Sequence, residues 1–398
     1  MKKITLILAM ALCVFSFTAC NLTGGGGNND ESENNNGDGT AETCEVHLTT
    51  LVNGECADCN RTGSLGLEYV LISDGTAYEV SGDGSCADVG VVIPSEHNGL
   101  PVTSIGESAF AGNTTMRSVI IPDSVTEIKS EAFLGCNQIR KTYMSRGAMS
   151  IGYKAFYECY NMEDLNLSEL SKLSSIGEYA FTGCSQLRNI TIPKSVRTIG
   201  VSAFFHCTNA QTIVFEDGIE LERITESAFY GLRCVKSLVI PDSVKYIDKS
   251  AFGICGAESI TIGEGVEYIG WYAFQYCGNL KTLTITKGLK TLSQSAFQHC
   301  AALESVVCEQ GCRLEEFSRY VFYDCPSLKS VTVPSSVTLI EDNAFLDCPS
   351  LESVSFEDTV GWKEVISKTT RRAVSVDNPA ENAALIKSFD DYDWLEKK

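Results

Sequence analysis

The sequence predicts a repeat solenoid of about eleven coils of 23–25 residues, stacked through a parallel sheet and capped at both ends. Three observations carry this. An Ala-Phe pair returns at Phe110, Phe133, Phe156, Phe181, Phe204, Phe229, Phe252, Phe274, Phe297 and Phe345, with Val321-Phe322 as a variant. The steps are mostly 23 residues, with three of 25 and one of 22. Second, stretches such as Leu187–Pro193 ("LRNITIP") alternate apolar and polar residues and favour β-branched types, which is a strand pattern. Third, one unit holds too few apolar residues to fold alone, so neighbours must share a core.

Taken from the start, Lys2 and Lys3 precede the apolar run "ITLILAMALCVFSF". A basic start and a short greasy segment mark residues 1–19 as a secretory signal, not a membrane span. The run leads into "FTAC" and closes on Cys20, which resembles a bacterial lipobox. That resemblance implies cleavage before Cys20 and lipid on its sulfur and amine. The other reading is an ordinary signal with an incidental cysteine. Residues 20–43 are glycine, asparagine and acid with almost nothing apolar, so they read as a flexible tether. The expected location is the cell envelope at the outer surface, touching the membrane through lipid alone.

Residues 44–98 are expected to hold a cysteine-containing segment and a strand-rich cap. Cys44, His47, Cys56 and Cys59 follow C-x2-H-x8-C-x2-C, a spacing that fits a structural tetrahedral zinc site. In an exported protein, Cys56 with Cys59, or Cys44 with either, equally suits a disulfide; a third reading is neither. No other cofactor is expected.

The coils occupy 99–358. Each opens on a strand and a closing proline, as at Pro193. "SVRTIG" then points Val196 and Ile199 inward, and "SAFFHC" turns the chain back through a short helical or 3-10 turn. The three 25-residue steps contain "LNLSELSKLSSIG", "IVFEDGIELERIT" and "VVCEQGCRLEEFS". Each adds two residues just after the strand, where a loop absorbs them without disturbing the stack. Nine coils place a cysteine three residues after the phenylalanine: Cys136, Cys159, Cys184, Cys207, Cys255, Cys277, Cys300, Cys325 and Cys348. Leu232 takes that place in its own coil, so the slot is apolar and inward. Equivalent Cβ atoms in stacked coils lie ~4.8 Å apart against the ~3.8 Å a disulfide prefers, so these cysteines read as a buried thiol ladder. Cys308 and Cys312 lie in an inserted turn whose spacing also suits a local bridge. Residues 359–398, with Trp362 and Trp394, form the closing cap.

The repeat resembles the BspA-like class of leucine-rich repeats. The matching elements are strands such as "SVIIP" and "SVTVP", then "SVRTIG", then "SAFFHC", recurring at 23 residues over about 67–358. Residues 67–94 resemble the strand-rich N-terminal cap of that class. The resemblance implies a curved leucine-rich-repeat solenoid with its parallel sheet on the concave face. It implies a secreted or surface protein of a host-associated microbe, and some members act as adhesins toward matrix proteins or cells. The expected function is recognition of a macromolecule, protein or glycan, first of all adhesion to a host matrix or cell-surface protein, without catalysis. The alternatives are a glycan-binding accessory protein and an envelope structural protein.

The net charge of −20 repels phosphate backbones, so nucleic acid is not an expected partner. Of four histidines, His206 and His299 hold equivalent positions four coils apart, too far to share a metal, and read as surface turn residues. "GGGG" lies in the tether, with no strand before it or helix after it, and acids are scattered over turns. Outward strand positions such as Thr282 and Thr284 make a ladder mostly of small hydroxyls. Aromatic residues gather instead around the Ala-Phe turns: Phe205, Tyr230, Trp271, Tyr272, Tyr276, Tyr320 and Tyr323. They read either as covers for the junctions between coils or as a contact stripe for a ligand.

Overall fold

The computed structural model describes residues 63–366, 370–389 and 393–397. The signal, Cys20, the tether, Cys44, His47, Cys56 and Cys59 lie outside the described residues.

The repeat becomes a stack of coils joined by three backbone ladders. The first is the expected strand: Asn189–Ile192 pairs in parallel with Thr212–Phe215 one coil on. The same strand recurs in a second sheet of six, Ser237–Val239, Ser259–Thr261, Thr282–Ile285, Ser305–Cys308, Ser330–Val333 and Ser353–Phe356, each paired with the next. Alternation sets its faces: Leu283 and Ile285 are buried while Thr282 and Thr284 face out. The second ladder comes from the phrase read only as two inward residues. Thr198–Ile199 pairs in parallel with Ser175–Ile176, and Tyr246–Ile247 with Arg223–Ile224.

The third ladder replaces the expected helical turn. The Ser108, Phe110 and Gly112 N–H groups donate to the carbonyls of Ser130, Ala132 and Leu134 in the next coil. The intervening amides of Ala109, Ala111 and Asn113 donate three residues back, to Gly106, Ser108 and Phe110. Sending alternate amides in two directions requires left-handed backbone two residues before and two after each phenylalanine, as at Ser108 (φ 55°) and Gly112 (φ 75°). A 3-10 helix would have kept every amide inside its own coil.

Inside the ladders the eleven phenylalanines form one column. Successive rings sit 4.9–6.0 Å apart and within 1–24° of parallel, which is the coil spacing expressed in side chains. All are buried.

Both described ends depart from the repeat. Glu68–Ile72 pairs antiparallel with Ala77–Gly82, which hands over to Leu100–Ile105 in parallel. At the other end Trp394–Lys397 lies antiparallel between Leu339–Ile340 and Trp362–Val365, closing the second ladder. The helix Pro379–Lys387 starts at Asn378, whose side chain accepts from the Ala380 and Glu381 amides. Buried Asn382 ties this helix to the last long strand by donating to the Val354 carbonyl (2.8 Å). Among the described residues no helix is long and apolar enough to cross a membrane.

Candidate recognition surface

The left-handed turn decides where aromatic side chains go. In most coils the residues just after the buried phenylalanine leave the core and lie along the outside of the turn, one above another, although Thr182 and Gly253 stay buried. The predicted stripe becomes two groups. In the first, Phe205 stacks on His206 (4.2 Å, 10°) and on Tyr230 of the next coil (5.1 Å, 12°). Glycines leave room for it: a Cβ on Gly253 would meet the Tyr230 ring at 2.6 Å, and one on Gly231 would meet His206 at 3.1 Å. In the second, Tyr276 stacks on His299 (4.4 Å, 15°), His299 meets Tyr323 edge-on (5.3 Å), and Tyr323 meets Tyr320 (5.6 Å). Asn343 donates to the Tyr320 hydroxyl (3.3 Å).

Trp271 and Tyr272 lie on the approach to the turn in the Tyr276 coil. Trp271 is 55% exposed and Tyr276 49%, and His206 is exposed too, so these offer ring surface to a partner; the other rings are half-buried.

Both histidines, read from sequence as plain turn residues, are members of these groups. The only signal was their shared position two residues after a phenylalanine, and what they would touch depended on coil stacking. Burial, then Arg233, holds His206 below the usual imidazole range, keeping it a neutral ring among rings. His299 Nδ1 lies 2.8 Å from Asp324 Oδ2, which fixes its plane. Burial first raises the Tyr230 hydroxyl.

The nine cysteines beneath the turns are free and buried. Eight direct the thiol at the carbonyl of the preceding coil's phenylalanine, from Cys136 to Phe110 (3.0 Å) through Cys348 to Phe322 (3.1 Å). Burial pushes the thiols of this ladder up, to about 11 at Cys255 and about 12 at Cys136, while at Cys325 and Cys348 the neighbouring cysteine contributes first. Such thiols pack and hydrogen-bond; they offer no nucleophile. Among the described residues no group of three or more His, Cys, Asp or Glu could hold a metal ion.

The sheet face offers less. Its outward rows carry small hydroxyls interrupted by Val214, Val239 and Val307, with Thr212 donating to Asn189 (2.8 Å).

Comparison with known proteins places this architecture. None of the curated proteins matches the chain. Among solved structures, a leucine-rich repeat protein from Bacteroides ovatus is 29% identical with a TM-score of 0.62, over 74% of this chain and 76% of that one. A leucine-rich cell surface protein from Faecalibacterium prausnitzii is 22% identical (TM-score 0.40; 74% and 94% covered). The pneumococcal vaccine antigen PcpA is 21% identical (TM-score 0.46; 75% and 82% covered). The family profile described as the BspA type leucine rich repeat region, in six copies, matches residues 103–223 and 222–352. With well over half its length accounted for in this way, the chain belongs to the BspA-type leucine-rich-repeat family.

Proposed function

We infer that this is a lipid-anchored cell-surface protein that binds a macromolecule and holds its bearer to a host matrix or cell-surface protein. The observation that carries the reading is the aromatic surface on the turns. Rings from neighbouring coils are stacked in register, held by the buried column beneath them, and partly exposed. Large rigid rings lose little conformational entropy on binding and contribute strongly once a partner excludes water. The signal, Cys20 and the acidic tether suit display at the end of a leash. Stacked ring faces also suit a sugar, so a glycan is the second reading.

The test uses the full mature chain and immobilised extracellular-matrix extract. Tyr276→Asn with Tyr323→Ala should weaken capture at least tenfold, about 1.4 kcal/mol. Asparagine is chosen because position 276 has φ 57°, a backbone it tolerates. The melting temperature should barely move. Thr282→Ala with Thr284→Ala on the sheet face is the comparison. Binding lost in that pair and kept in the aromatic pair would move the site to the sheet. Binding to a glycan array but not to the extract would decide for the sugar.

A further inference from the structure

Two cysteines stand apart from the ladder. Cys308 ends the strand Ser305–Cys308, and Cys312 closes the turn that follows. The turn is tight: the Cys312 amide donates to the Glu309 carbonyl (3.0 Å) and Gly311 is left-handed (φ 81°). Both thiols are free and buried, at 7% and 5% exposure. They stand at the two ends of this tight turn, and the Cys308 thiol donates to the Thr332 carbonyl of the next coil (3.3 Å). Directly above them Gln310 is exposed, as are Gly311 and Arg313, so one turn separates the pair from solvent.

The chain contains its own control. Four coils earlier the same turn is built from Phe215, Glu216, Asp217, Gly218 and Ile219. Its bonds match: Ile219 N–H to Glu216 O (3.1 Å), Gly218 at φ 79°, and the Glu216 carboxylate accepting the Lys194 amide (3.0 Å). Glu309 accepts the Lys287 amide in the same way (3.3 Å). In that twin, Ile219 belongs to the buried core and Phe215 packs against it, meeting Phe229 edge-on (5.8 Å). Cys308 and Cys312 occupy the same two places on the same tight turn, which folds four residues back on themselves in both coils.

We propose that Cys308 and Cys312 are a redox modification site, a dithiol that closes into a disulfide by exchange with a small or protein disulfide outside the cell. Cys312 is the attacking group. The Leu314 amide donates to its sulfur (3.4 Å), and the Cys308 thiol with this amide draws its pKa down to about 7, against burial and the Glu309 and Glu357 carboxylates. The Cys312 thiolate attacks one sulfur of the external disulfide, forming a mixed disulfide and releasing one thiolate. Cys308 then loses its proton and attacks the Cys312 sulfur, releasing the second thiolate. Two electrons pass from the pair to the external disulfide, which leaves as two thiols. The ladder thiols are barred from this chemistry by burial and raised pKa.

The tryptic peptide Thr291–Arg313 carries Cys308, Cys312 and, as an internal reference, the ladder thiol Cys300. The folded full chain is equilibrated with oxidised and reduced glutathione, quenched, alkylated in denaturant and digested. The expected peptide has lost two hydrogens at Cys308 and Cys312 and carries alkyl only at Cys300. Under native conditions iodoacetamide should modify Cys312 at least tenfold faster than Cys300. Cys312→Ile, the residue of the twin turn, should leave folding intact and abolish the internal disulfide. Three alkylated cysteines after equilibration would overturn the proposal. So would a bridge involving Cys300, or equal native labelling of Cys300 and Cys312.

Discussion

Cys207 shows how much one position carries. Its backbone amide closes the turn of its own coil on the Phe204 carbonyl, while its thiol reaches the Phe181 carbonyl of the coil before (3.3 Å). Eight such thiols staple neighbouring coils without a covalent bond, and their pKa behaviour makes this testable. Burial raises the folded pKa of these groups above the ordinary value near 9. Below about pH 8 both states keep the proton and the contribution is complete. Above 9 the unfolded chain releases protons that the folded chain retains, so folding binds more protons and stability falls as pH rises. Each well-buried thiol contributes about 1.4 kcal/mol per pH unit to that fall. Under reducing conditions the urea midpoint should therefore drop steeply between pH 8 and 10, and Cys184→Ala with Cys207→Ala should flatten the drop. A pH slope untouched by that pair would refute the account. The inward slot was legible because Leu232 fills it once; its acceptor was not, because the acceptor belongs to another coil.

A coil tolerates length changes only at particular points. Additions fall after the long strand, where the carboxylates of Glu216 and Glu309 cap the amides of Lys194 and Lys287 in the preceding coil. The earliest insertion is built differently, around a 3-10 turn at Leu167–Glu169, and there the long ladder thins to a single bridge between Lys141 and Asp164. The one deletion falls between Cys255 and Ala257, where Gly256 replaces the two residues found between Cys207 and Ala210. A Cβ on Gly256 would stand 1.9 Å from the Arg233 carbonyl oxygen. The neighbour is backbone and cannot step aside, so Gly256→Ala should cost about 1–3 kcal/mol, read as a lower denaturation midpoint. An unchanged midpoint would mean that the shortened turn has slack. The long strands could be read from alternation. The second ladder could not, because two residues per coil are too few to alternate. The left-handed turns were equally hidden, since serine, tyrosine and glutamate hold φ values elsewhere favoured by glycine.

At the scale of the stack, the period and the apolar slots were enough to specify the architecture, whereas the surface was only half legible. Aromatic residues near the turns were visible, but their division into two groups, and the histidines within them, required knowing which coil lies above which. Ion pairs between neighbours, such as Lys245 with Glu222 (2.7 Å) and Lys281 with Glu258 (2.8 Å), repeat this relation on the outside; exposed, they contribute little. What binds the stack is the three ladders, and each coil hydrogen-bonds only to the coils on either side. Under tension that arrangement behaves as a zipper, not a knot. A load drawn along the stack falls on the last coil, whose loss leaves the next intact and newly terminal. Each release frees 23 residues, about 80 Å of extended chain. Pulled from both ends in a force spectrometer, the protein should lengthen in a train of such steps; a single rupture of the whole array would contradict it. On the proposed reading of a surface binder, a stack that yields by instalments would keep its remaining coils in contact with a partner under load.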